Sequence, residues 1–214
     1  MPRRSRGSRF NDYRINVFIN CPFDDAYKPL FESLVFTIAY CGFRARCALE
    51  IDDGSQVRID KIFRIIEECR FGVHDLSRTE LDRSSGLPRF NMPLELGMFL
   101  GAKRFGGGVQ RRKACLILDR KAYRYQKFIS DIAGQDIYAH DRSSDRTITI
   151  TRDWLSAWSH RSMPGGREIH RKYRKFKARL PALCRELRLR PTEMTFNDFT
   201  NIALEWLKTE QTES

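Results

Sequence analysis

The chain has no long apolar run. None of its segments approaches the ~20 residues that cross a bilayer, so no membrane partner is expected. Its basic start, Met1 to Arg9, has no apolar segment behind it, which argues against a secretory signal. The six cysteines (Cys21, Cys41, Cys47, Cys69, Cys115, Cys184) are scattered without short paired spacing, and most sit in apolar runs. That excludes a disulfide framework and a zinc site and points to a reducing, cytoplasmic compartment. Histidines 74, 140, 160 and 170 lack metal-ligand spacing, so no metal is expected. His74 reads as a hydrogen-bonded core histidine. The Gly106–Gly108 run is not followed by Lys-Ser/Thr and reads as a flexible turn, not a phosphate loop. No serine stands in a nucleophile elbow, and no internal repeat is visible.

What is present is enough apolar residue, 41% of 214, to bury a full core. The net charge of +12 is uneven. Residues 1–14 hold five Arg against one acid, and residues 161–190 hold eleven Arg or Lys against Glu168 and Glu186. The tail from 191 is acidic, with five acids against Lys208. Three parts are expected: a basic flexible arm over 1–13, an α/β domain over 14–145, and a helical extension over 146–214 packed on that domain.

Strands are predicted at Arg14–Ile19, Arg44–Leu49, Phe71–Asp75, Ala114–Asp119 and Asp136–His140. Between them fall helices from Asp25 to about Cys41, from Ser55, from Asn91, and over Tyr123–Ile132. Asp25, Ser55 and Asn91 are the expected N-caps, and Gly42 a stop. In the second helix, Ile59, Ile62, Phe63 and Ile66 trace the apolar face. Helices follow at Thr151–His160, His170–Leu187 and Thr195–Lys208. Apolar strands alternating with helices mean a five-stranded parallel sheet covered on both faces. Ligands bind such sheets beyond the carboxyl ends of the strands, which singles out the loops after the first three. Glu50–Gly54, with Asp52 and Asp53, reads as a turn.

The segment Arg89–Lys103 (RFNMPLELGMFLGAK) reads as a helix that is apolar nearly all round. Pro93 falls in its first turn, where a missing N–H costs nothing. Glu95 shares its face with Met92, Phe99 and Ala102, and an ionised acid on an apolar face is costly unless paired. On the residues alone it reads equally as a satisfied buried acid or a functional one. The loop after the first strand offers Asn20 and Asp24 as polar contacts. Phe23 there either stacks on a base or plugs the core. Asp75 and Ser77 after the third strand either face a ligand or anchor the loop.

Two segments together resemble a known group. Val17–Phe23 (VFINCPF) and Asp75–Ser77 followed by Asn91–Gly97 and Ala102–Lys103 are similar to the corresponding motifs of nucleoside 2-deoxyribosyltransferases. The related TIR domains place their catalytic Glu on the helix after the third strand. The resemblance covers about residues 14–140 and implies a flavodoxin-like sheet order. It also implies cleavage of an N-glycosidic bond in NAD or a related nucleotide or nucleoside, with Glu95 at the anomeric carbon. The helix N-terminus would favour the ionised form that an oxocarbenium-like centre needs. Asn20, Phe23, Asp24, Asp75, Ser77, Arg89 and Asn91 would bind the substrate. The second acid of the transferases and the Trp-x-x-x-Glu of TIR domains are missing, which leaves Arg89 or Asn91 to take over substrate contacts. NAD would be substrate and no cofactor is expected.

A role as an NAD hydrolase of bacterial antiviral defence follows by analogy. The alternative is a non-catalytic nucleotide-sensing or protein-interaction module. Self-association is expected from the resemblance to TIR domains. The basic helix Arg167–Arg190 offers either a solvated face or a nucleic-acid surface.

Overall fold

The computed structural model describes residues 12–50, 53–81 and 86–212. The expected basic arm therefore lies outside the described residues except for its last two, as do Asp52 and part of the loop after residue 81. The strands are β1 Asn16–Asn20, β2 Arg44–Arg46, β3 Phe71–Asp75, β4 Ala114–Asp119 and β5 Ile137–Ala139. The helices are α1 Lys28–Tyr40, α2 Arg58–Glu67, α3 Asn91–Phe105, α4 Ser144–Ser159, α5 Gly166–Glu186 and α6 Phe196–Thr212. The five-stranded sheet runs in the order β2-β1-β3-β4-β5, and β1–β3, β3–β4 and β4–β5 pair in parallel. This is an α/β sheet of flavodoxin-like order. No helix among the described residues is long and apolar enough to cross a membrane.

The chain forms two compact units, one of Met1–Tyr27 with Arg46–Arg142 and one of Lys28–Ala45 with Ser143–Ser214. In the first, Phe18, Ala48, Ile62, Ile65, Ile66, Cys69 and Phe99 form a buried cluster that joins β1, α2 and α3. A second cluster gathers Leu76, Met92, Leu96, Ile117, Tyr125 and Ile132. Lys113 is buried at the C-terminal end of α2, where its Nζ donates to the Ile66 carbonyl at 2.5 Å and to that of Cys69. It thereby satisfies carbonyls that a helix end leaves open. Tyr13, at the end of the expected arm, is buried and its hydroxyl donates to the Val109 carbonyl.

Gly72 in β3 permits close packing, because a Cβ there would lie 2.8 Å from both the His74 ring and the Phe99 ring. Gly72→Ala is expected to destabilise this unit by about 1–3 kcal/mol through overpacking. Urea unfolding would measure it, and a variant as stable as wild type would contradict the tight fit.

In the second unit, Phe36 of α1 stacks on Phe176 of α5 (centroids 5.2 Å apart) and meets Tyr173 and Trp206. Glu32 pairs with Lys177 at 2.5 Å. Gly42 ends α1 with φ +76°, as expected of a left-handed stop.

Several local expectations are corrected. Asp24, not Asp25, accepts from the Tyr27 N–H before α1. Ser55 does not cap α2; it donates to Asp53, and α2 starts after Val57 without a side-chain cap. Asn91 is the first helical residue of α3 rather than its cap. On α2 it is Ile65, not Phe63, that joins Ile62 and Ile66 in the core. Tyr123–Ile132 forms two short 3-10 turns in place of a helix, since Tyr123 itself takes a left-handed φ of 59°. The fourth helix begins at Ser144, with Ser143 capping it through the Arg146 N–H.

Candidate functional site

Strand order reverses between β1 and β3, so the loops leaving their carboxyl ends diverge around a crevice. Each core strand around it ends in a buried polar side chain: Asn20 on β1, Asp75 on β3 and Asp119 on β4, with His140 just after β5. Parallel pairing brings these ends to one edge of the sheet.

Asp75 is fully buried and spends its carboxylate on the protein. It accepts from the Tyr27 hydroxyl at 2.7 Å, the Ser77 N–H at 2.7 Å and His140 Nε2 at 3.0 Å. Burial pushes its pKa up, but the hydrogen bonds from His140, Ser77 and Tyr27 outweigh it and hold the carboxyl below its ordinary value. His140 Nδ1 accepts from the Arg142 N–H at 2.9 Å, so the ring proton sits on Nε2, which faces both Asp75 and the Ser77 hydroxyl (2.8 Å). Ser77 thus meets an N–H and not a basic lone pair. Asp75, His140 and Ser77 are a loop-anchoring network, and the arrangement does not activate a nucleophile.

Asn20 is also used internally. Its Nδ2 donates to the Met92 carbonyl (2.8 Å) and to His74 Nδ1 (3.0 Å), tying the end of β1 to the start of α3. His74 is the expected core histidine: burial, aided by the charge of Lys113, lowers its pKa to about 3. Its Nε2 has no hydrogen-bond partner and the ring sits edge-on to Phe99, centroids 5.0 Å apart.

Asp24 pairs with Arg78 through two bonds near 3 Å, clamping the loop after β1 to the loop after β3. Arg124 binds Asp119, Thr79 and the Leu76 carbonyl, holding the β3 loop from the other side. Phe23 is 41% exposed, so it does not plug the core. Arg89 and Asn91 lie exposed on the approach to α3.

Glu95 differs from all of these. It is 8% exposed, on the buried face of α3 with Met92 and Phe99. No hydrogen bond or ion pair joins its carboxyl to another described residue. It lies close enough to Cys21 to help raise that thiol's pKa, and Arg58 acts on it only as a distant charge. Burial raises its pKa to about 7, against the weaker lowering effect of Arg58. Burial works against the ionised form that the sequence led one to expect from the helix N-terminus. The site therefore combines a largely buried carboxyl, with no hydrogen-bond partner among the described residues, with loops tied together by hydrogen bonds. Tyr27, Arg78, Asp119, Arg124 and His140 were not anticipated as part of it. The available signal was that the β3, β4 and β5 segments each run from apolar residues into Asp75, Asp119 or His140. Among the described residues no group of three or more His, Cys, Asp or Glu could hold a metal ion.

No family model matches the chain, and no curated protein matches it. Among solved structures it is similar to a diflavin flavoprotein from Nostoc sp., at 14% identity over 73% of this chain and 96% of that one, with a TM-score of 0.41. The expectation of N-glycosidic cleavage of NAD, with the hydrolase and antiviral-defence roles attached to it, is corrected. That reading needs a standing carboxylate, and burial raises the Glu95 pKa to about 7, against the ionised form. The expectation of NAD as substrate with no cofactor belonged to that reading and is withdrawn with it.

Proposed function

We propose that the carboxyl edge of the sheet binds a planar, uncharged heterocycle bearing an amide-type donor–acceptor edge, with Glu95 as the recognition group. The observation that carries this reading is the buried carboxyl of Glu95, its pKa raised to about 7 and without a hydrogen-bond or ion-pair partner among the described residues. A protonated carboxyl sets an O–H donor beside a carbonyl acceptor, the complement of an amide or imide edge. Isoalloxazines and nucleobases both present such an edge. Phe23 and Phe90, 41% and 66% exposed, offer rings for stacking on the bordering loops.

The loop after β1 does not suit a flavin phosphate. Pro22 has no N–H to donate, Asp25 adds negative charge where an anion would sit, and Arg78 is already paired with Asp24. Recognition then falls on the ring, and these residues supply no redox step of their own. All six cysteines are free thiols, which supports a reducing, cytoplasmic setting.

Titration calorimetry with riboflavin, FMN, uridine and adenosine at pH 6 and pH 8 tests the reading. The protonated fraction of a group near pKa 7 falls about tenfold over that interval, so affinity for the bound ring should fall about tenfold too. Glu95→Gln, which keeps a donor and an acceptor, should bind equally at both pH values. FMN should bind no tighter than riboflavin. Absence of binding by every ring, or an unchanged pH dependence in Glu95→Gln, would overturn the proposal.

A further inference from the structure

The charge of α5 is compensated on its flanks, but along its outer line only Arg171 has an acidic partner among the described residues. Lys172 and Lys175 share Glu210 (2.8 and 2.7 Å), Lys177 binds Glu32, Arg171 binds Glu168, and Arg179 reaches Glu186 at 3.4 Å. Arg167, Arg174 and Arg185 are exposed and have no acidic partner among the described residues. On a 3.6-residue period these three, with Arg171, fall on one line of the helix, opposite the buried Ile169, Tyr173, Phe176, Leu180 and Cys184. At 1.5 Å per residue the line is about 27 Å long.

We infer that this arginine line docks the phosphodiester backbone of a nucleic acid without reading its bases. Guanidinium groups match phosphate oxygens as two-pronged donors, and all three bare cations are Arg. An anionic membrane is the poorer fit. Interfacial helices insert an apolar face beside their charges, and the apolar face of α5 is buried within its own unit. Nor do the arginines meet base edges through any recognition motif in the sequence, so binding is sequence-independent.

Fluorescence anisotropy of the full chain with a labelled 20-base-pair DNA, a 20-nucleotide RNA, polyglutamate and anionic vesicles tests this. Three phosphates neutralised predict a slope of log affinity against log salt of about −2.7 on duplex DNA. The triple variant Arg167→Gln, Arg174→Gln, Arg185→Gln, with circular dichroism confirming its helix content, should lose nearly all of that slope. It should also lose at least tenfold in affinity near 100 mM salt. Should the triple variant fail to fold, the wild-type slope decides. A slope shallower than −1 overturns the inference, as does equal binding of polyglutamate or vesicles. So does a folded triple variant that still binds as wild type.

Discussion

Replacing Glu95 with Gln is expected to raise the unfolding free energy of its unit at pH 8.5 by up to about 3 kcal/mol and to leave it nearly unchanged at pH 4. The size follows from a carboxyl shifted from 4.5 to about 7 by burial. The sign follows from proton binding. The folded pKa lies above the unfolded one, so the folded state holds the proton more tightly between them. The contribution of the protonated acid is complete below about pH 4.5 and is lost as pH rises through 7. Gln keeps the neutral shape at every pH and escapes that loss. The three tryptophans, Trp154, Trp158 and Trp206, all lie in the other unit, so backbone circular dichroism in urea is the suitable probe. A variant less stable than wild type at pH 8.5 would mean that the carboxyl is satisfied in the fold. Stability sacrificed at one buried acid is what a binding site held ready for a partner would produce.

Asp75→Asn is expected to act in the opposite direction, costing about 3 kcal/mol or more above pH 5. The carboxylate accepts three hydrogen bonds inside the protein, and an amide would turn an N–H₂ toward at least one of those donors. The pH dependence is also reversed. The folded pKa of Asp75 is depressed, so its contribution is present above the unfolded value near 3.8 and is lost as pH falls. The variant's stability should therefore depend less steeply on acid than that of wild type. A urea midpoint within the equivalent of 1 kcal/mol of wild type would show that the loops stand without this network. Glu95 and Asp75 are thus two buried acids with opposite behaviour, because Asp75 accepts three hydrogen bonds and Glu95 accepts none from the described residues.

The strands β3 and β4 were legible to the residue, since Phe71–Asp75 and Ala114–Asp119 are apolar runs closed by a polar side chain. Helix periodicity likewise placed Glu95 on a buried face. Helix starts were misread at Asp25, Ser55 and Asn91 because a capping residue type fits several neighbouring positions, and loop geometry chooses among them. Phe63 was read inward because a moderate apolar stripe allows more than one rotation of the helix. Which rotation wins depends on what α2 meets, and it meets Phe18 and Phe99 through Ile62, Ile65 and Ile66.

By itself the sequence determined the alternation of strands and helices, the apolar setting of Glu95 and the concentration of positive charge near the chain's end. Those properties are local: they depend on which residues follow one another. The tertiary structure decided which polar groups are already spent. Asp75 finds Tyr27, 48 residues earlier, and Ser77 finds His140, 63 residues later. Glu32 and Glu210, remote in the chain, pair with three lysines of α5, while Arg167, Arg174 and Arg185 have no acidic partner among the described residues. Burial then set the protonation of Glu95, because the energy of a charge depends on everything packed around it in space and only weakly on its neighbours in the chain.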